Sequence, residues 1–181
     1  RQTIAFDQLT AFVGKNDVGK STILEALDIF FNDGAGPISL DVRDVNVDAK
    51  NAANGANVDV IIGVEFSEVP DYVVLDDKNQ TSLADEYLLN SEDSLTIIKH
   101  YPNAGKPKVF IYANHPSHPD CCALLHKKQT ELRKLTIDID CDHNKNAEMR
   151  KALRQQHVNE LNLQMQEIDV SKEDAKNIWE K

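Results

Sequence analysis

A run of nine residues, Gly14-Lys15-Asn16-Asp17-Val18-Gly19-Lys20-Ser21-Thr22, has the types and spacing that hold a polyphosphate. It fits the pattern G-x-x-x-x-G-K-[ST]. Gly14 lets the chain turn tightly, and Gly19 removes a side chain where the backbone must approach phosphate. The amide N–H groups between them, with the positive end of a following helix, make an anion cradle. Lys20 supplies a point charge for the β and γ phosphates of a nucleoside triphosphate and is the expected catalytic residue. The Ser21 hydroxyl is the expected Mg²⁺ ligand. Thr22 and Asn16 add supporting contacts, and Lys15, Asp17 and Val18 complete the loop. The alternative is a glycine-rich turn that binds nothing, but such a turn needs neither the lysine nor the adjacent hydroxyl.

The flanks supply the elements this loop requires. Leu9-Thr10-Ala11-Phe12-Val13 reads as a short buried strand, preceded by an Asp7-Gln8 turn and an alternating stretch at residues 3–6. That stretch predicts a strand already in progress, with residues expected upstream. After the loop, Ile23, Leu27 and Phe30 fall on one helical face at i, i+4, i+7 spacing, with Leu24 and Phe31 beside them. Gly34 is the expected left-handed cap.

The chain has 181 residues, 41% of them hydrophobic, which suits one domain or one lobe of a larger one. No run approaches the ~20 apolar residues of a membrane helix, because Glu25 and Asp28 interrupt the best candidate. Three cysteines, two of them adjacent, make no disulfide framework, so a reducing cytoplasm is expected. The formal charge of −10 argues against a main DNA-gripping surface.

Beyond residue 34 the pattern changes. Residues 35–57 read as an irregular connection, with Leu40, Val42, Val45 and Val47 as a short edge element. Val58, Val60, Ile62, Val64 and Phe66 alternate with more polar residues, predicting an antiparallel strand with one buried face. Leu95 to Tyr101 and Val109 to Ala113 predict a hairpin about the turn Pro102-Asn103-Ala104-Gly105. Thr81-Ser82-Leu83-Ala84-Asp85 looks like a capped helix start running to Leu89. Helical signal dominates from Cys122, interrupted by strand-like alternation at residues 136–139. A polar helix is expected from Ala147 to about Glu160, and a capped one from Ser171.

Other chemistry-bearing groups are weaker. Tyr72-Val73-Val74-Leu75-Asp76-Asp77 imitates an apolar strand ending in a Mg²⁺-holding acid, yet leaves no room for the crossover helix of a parallel sheet. His115-Pro116-Ser117-His118-Pro119-Asp120-Cys121-Cys122, with Cys141 and His143, holds zinc-ligand types at a spacing that matches no common zinc module. A solvated loop or partner contact is expected there. Lys127, Lys128, Arg133, Lys134, Lys145, Arg150, Lys151 and Arg154 are the basic clusters, and a solvated helical face is the expectation over nucleic-acid contact. Guanine recognition fails: Asn144-Lys145-Asn146-Ala147 lacks the aspartate of N-K-x-D, and no D-x-x-G switch follows the loop.

The run from Thr3 to Thr10, leading into the loop and then Ile23-Leu24-Glu25-Ala26-Leu27, resembles the N-terminal lobe of ABC-type ATPases of the RecF/SMC class. Its Gly-Lys-Asn-x-x-Gly-Lys-Ser-Thr form is most similar to the overcoming-lysogenization-defect (OLD) ATPases and related anti-phage ATPases. The resemblance implies an α/β P-loop fold with a mixed sheet, an antiparallel β layer and a C-terminal helical part. It divides the chain into a P-loop lobe at 1–115 and a mainly helical segment at 116–181. It also implies ATP and Mg²⁺ as cofactors and a second ATPase head as partner, with DNA and an effector nuclease as further candidates and no membrane. The signature sequence, acid-ended strand and switch histidine of that class are not found in these residues, and Gln129 is a weak candidate for its Q-loop glutamine. They are expected further along a complete protein, so this stretch alone is expected to be inactive in turnover. Two rivals stand beside this reading: a scaffold that nucleotide merely orders, and a self-contained AAA+-like ATPase using Asp76.

Overall fold

The alternating runs build the sheet. In the computed structural model, which describes residues 2–15, 19–32, 36–53, 58–76 and 79–168, β1 (Val60–Phe66), β4 (Leu95–Tyr101) and β5 (Lys108–Pro116) stand side by side. Every pairing is antiparallel: Val60 faces Tyr101, Phe66 faces Leu95, and Ile98 faces Phe110. The turn Pro102–Ala104 joins β4 to β5, with Asn103 and Ala104 both at positive φ. Leu95, Ile97, Lys99 and Tyr101 of β4, and Val109, Ile111, Ala113 and His115 of β5, point to the buried face.

That face is covered by elements that precede β4 in sequence. Phe30 from α1 (Lys20–Asn32) packs there, as do Val73 and Leu75 from β2 (Val73–Asp76) and Leu83 and Leu88 from the following turns. β2 pairs only with β3 (Asn79–Thr81), forming a separate two-stranded sheet. The capped start at Ser82 forms a single turn, in which Ser82 Oγ accepts from Asp85 N–H at 2.9 Å. It stops where Tyr87 enters the left-handed region at φ 53° and Leu88 N–H returns to Leu83 O. A longer helix would carry Leu88 around the axis, whereas the turn buries Leu83 and Leu88 together.

Residues 35–57 hold a 3₁₀ turn at Val42–Asp44 and the short α2 (Val47–Ala52) where an edge element was expected. The second half carries its own core of Cys121, Leu124, Leu132, Met149 and Leu153. These come from the 121–126 turns, α3 (Gln129–Leu135) and α4 (Asn146–Gln156). Residues 136–139 turn instead of alternating into a strand. α4 agrees with the expected polar helix, but at Leu161 the chain begins β6 (Leu161–Ile168), which pairs with β5 along its length. The four-stranded sheet therefore runs β1-β4-β5-β6 and draws on both sides of residue 115.

The basic clusters are corrected in part. Arg150 and Arg154 are 3% and 1% exposed, where a solvated face was expected. Both pair with the fully buried Glu86: Arg150 Nη2 lies 2.7 Å from Oε1, and Arg154 Nη1 bonds Oε2. Lone buried charges of this kind would cost several kcal/mol each, so the triad is tolerated only as a set. Among the described residues no helix is long and apolar enough to cross a membrane.

Candidate functional site

The loop-to-helix junction is where the chemistry concentrates. Residues 14, 15 and 19–22 are described; Asn16, Asp17 and Val18 lie outside the described residues. Gly19 sits at φ +85°, a conformation that costs any residue with a Cβ, and a Cβ built there would meet nothing within 4 Å. The glycine is thus needed for backbone shape, and the space over it is open. α1 starts at the next residue, its first intrahelical bond running from Ile23 N–H to Gly19 O at 3.3 Å. Its first turn holds no acidic residue, which suits the positive helix end to an anion.

Lys20 folds back across the loop. Its Nζ donates to Gly14 O at 2.8 Å and to Lys15 O, bringing the two ends of the loop together. Ser21 and Thr22 are exposed on the first turn, beside the exposed Gly14, Lys15 and Gly19. The Lys20 side chain, the N–H groups of the first turn and the Ser21 and Thr22 hydroxyls therefore share one surface. The donor set fits a magnesium–triphosphate: amides and an ammonium for phosphate oxygens, a hydroxyl for the hard cation.

The far end of α1 is anchored by residues that motif reading missed. Lys99 Nζ, buried within β4, donates to Phe30 O at 2.6 Å and lies 4.8 Å from the centre of the Phe30 ring. Tyr101 Oη donates to Ile29 O at 3.3 Å. A cation and a hydroxyl thus satisfy the carbonyl end of the helix, where its dipole is negative. Their signal was present in the alternation, since Lys99 and Tyr101 occupy the same strand face as Leu95 and Ile97.

The expected strand at residues 9–13 is not formed. Leu9 and Val13 are 89% and 94% exposed, and residues 2–15 run as an irregular segment. The expected turn is present, with Asp7 N–H donating to Thr10 Oγ1 at 3.0 Å and Phe6 set edge-on against Phe12. A central parallel strand is stable only with neighbours, and every described sheet strand already pairs antiparallel elsewhere. The expectation of a mixed sheet is therefore not met among the described residues.

The remaining candidates scatter. Asp76 ends β2, an antiparallel hairpin strand separate from the main sheet, while Asp77 lies outside the described residues. Gln129 opens α3 and its Nε2 donates to Asn144 O at 2.9 Å, fastening that helix to the turn before α4. The expected cap Gly34 and the capped segment from Ser171 are also outside the described residues. The His/Cys stretch divides. His115 turns inward, with Nδ1 2.9 Å from Tyr87 O, and burial pushes its pKa down, helped by the Arg154 charge. Cys121 is buried as well, and burial raises its thiol pKa to about 11. His143 Nε2 meets Thr136 O at 2.9 Å, and Cys141 packs against the second core. Only His118 and Asp120 of that stretch remain together, joined by His157 from the end of α4.

Comparison with known proteins agrees with the chemistry of the loop. The family described as AAA ATPase domain matches residues 1–181. No curated protein and no solved structure matches the chain. A family match along the whole chain, on a mixed α/β fold, leads to one statement of kinship: the chain belongs to the family of AAA ATPase domains.

Proposed function

We propose that residues 14–22 bind the phosphates of ATP and that the complete protein hydrolyses it as an OLD-like or RecF/SMC-like ATPase in DNA processing or anti-phage defence. The observation that supports this most directly is the junction of Gly19 and α1. An open, positively polarised helix end carries Lys20 and Ser21 in adjacent positions. Binding asks Lys20 to exchange the Gly14 and Lys15 carbonyls for phosphate oxygens, a trade of neutral for charge-assisted bonds. Ser21 would hold Mg²⁺, which when bound would supply charge neutralisation for the phosphates. The Lys99 and Tyr101 bonds keep α1 rigid while its other end carries ligand.

In this reading residues 1–115 are the nucleotide lobe and 116–181 a segment that leads toward the remaining catalytic parts. β6 ties the second segment back to the first through β5. The site is completed by a second head of the same kind, with DNA and an effector nuclease as downstream partners, in a reducing cytoplasm. All three cysteines are free, which suits that compartment.

Lys20→Ala in the complete protein is expected to lower ATP turnover at least about 100-fold, the scale of removing one transition-state donor, with the fold retained. Unchanged turnover would sink the reading. Asp76→Asn is expected to leave turnover within a few-fold; its loss would instead favour a self-contained AAA+-like site. A non-hydrolysable ATP analogue that fully supports effector function would favour the scaffold alternative.

A further inference from the structure

We propose that His118, Asp120 and His157 form a binding site for a divalent transition-metal ion of the zinc type, separate from the nucleotide loop. One donor atom from each lies within 4.8 Å of the other two. His118 and His157 are 39 positions apart in the sequence, yet their rings lie parallel with centres 3.7 Å apart and planes 9° from coplanar. His118 Nδ1 is 3.6 Å from Asp120 Oδ2, and His157 Nδ1 is 3.2 Å from Glu160 Oε1.

The backbone itself brings these side chains together. Ser117 donates through both N–H (3.1 Å) and Oγ (3.0 Å) to Glu160 O, tying the loop of His118 to the turn after His157. Cys121 Sγ reaches Leu153 O at 3.9 Å, and both residues are buried in the second core. Pro119 confines His118 to extended backbone, at φ −60° and ψ 138°, and Cys121 N–H closes the turn on His118 O. His157 ends α4, its N–H donating to Arg154 O at 3.0 Å. Both ligand-bearing turns are thus held by core packing and backbone bonds, so coordination asks only for side-chain rotation, in which His118 Nδ1 gives up the N–H it accepts from Asp120 at 3.3 Å.

The donor chemistry selects the ion. Two imidazoles and a carboxylate suit Zn²⁺ and its first-row neighbours, whereas Mg²⁺ and Ca²⁺ prefer oxygen alone. Donors on one tetrahedral ion lie about 3.3 Å apart, given metal–nitrogen bonds of about 2.05 Å. The rings must therefore splay from their parallel stack until both lone pairs converge. Glu160 accepts the Nδ1 proton of His157 and so leaves Nε2 as its lone-pair nitrogen, the carboxylate–imidazole arrangement that orients a metal-bound histidine. The side chains of His118 and Asp120 are 33% and 55% exposed, so a fourth position faces solvent and is free for water or a donor from a partner.

The test titrates the full-length, chelator-treated protein with Zn²⁺ alone by calorimetry, without nucleotide. One equivalent per chain is expected, undisturbed by millimolar Mg²⁺. His157→Phe keeps a flat ring against His118 but removes the donor nitrogen, and it is expected to weaken binding at least about tenfold while thermal melting stays close to that of the parent. Asp120→Asn, at an exposed position, is expected to do the same with no packing change. Lys20→Ala should bind Zn²⁺ as the parent does. Absence of one-to-one binding, parent-like affinity in either His157→Phe or Asp120→Asn, or loss of binding in Lys20→Ala would each overturn the proposal.

Discussion

At the scale of single residues, the strongest constraints are charges placed where water cannot reach. Glu86 is fully buried; burial by itself raises its pKa, but the guanidiniums of Arg154 and Arg150 overrule that and hold it below the usual carboxylate range. Glu86→Gln leaves two buried cations facing one neutral acceptor, and is expected to cost about 3–5 kcal/mol in urea denaturation. A loss below about 1 kcal/mol would show the triad to be dispensable. This arrangement was not legible locally. Arg150 and Arg154 sit four apart on a polar helix, the ordinary signature of a solvated face, and their partner is 64 residues upstream of Arg150. By contrast a glycine at position 19 was legible in the motif, but the reason seen in the structure is its positive φ, where close approach to phosphate was the expectation.

At the scale of elements, α1 is held at both ends by different means. The loop closes over its start through Lys20, and β4 anchors its finish through Lys99 and Tyr101. Lys99→Met keeps the aliphatic stem but removes the donor to Phe30 O and the favourable charge at the helix terminus. The expected loss is about 1–3 kcal/mol, with amide exchange in the last turn of α1 rising more than in β5. Unchanged stability and exchange would show that packing of Phe30 alone seats the helix. β6 shows how an element escapes pattern reading. Leu161, Leu163 and Met165 alternate with Asn162, Gln164 and Gln166, yet these residue types favour helix or neither state, and Leu163 and Met165 point outward. Only pairing with β5, supported by Gln164 Nε2 donating to His115 O at 2.7 Å, makes the segment a strand.

At the scale of the whole molecule, buried titratable groups couple stability to pH. His115 is buried with its pKa lowered, so the unfolded chain binds its proton first and stability falls as pH drops below about 6.5. Glu86, lowered from 4.5, contributes stability that is fully present above that value and lost as pH falls through its folded pKa. Denaturation free energy is therefore expected to decline in two stages on acidification. His115→Gln should flatten the first stage and leave the second, whereas an unaltered profile would remove His115 as its source.

The sequence by itself determined the glycine before α1, the helix α1, the hairpin β4–β5 and the helix α4. Each of these is written in local spacing: glycine torsions, period-2 or period-3.6 alternation, and turn chemistry acting within a few residues. Tertiary structure decided the rest. It left residues 9–13 without strand neighbours, ended the turn at Tyr87, buried Arg150 and Arg154, recruited β6 and set His157 against His118. Those outcomes turn on which distant groups share a desolvated space, and no window along the chain contains both members of such a pair.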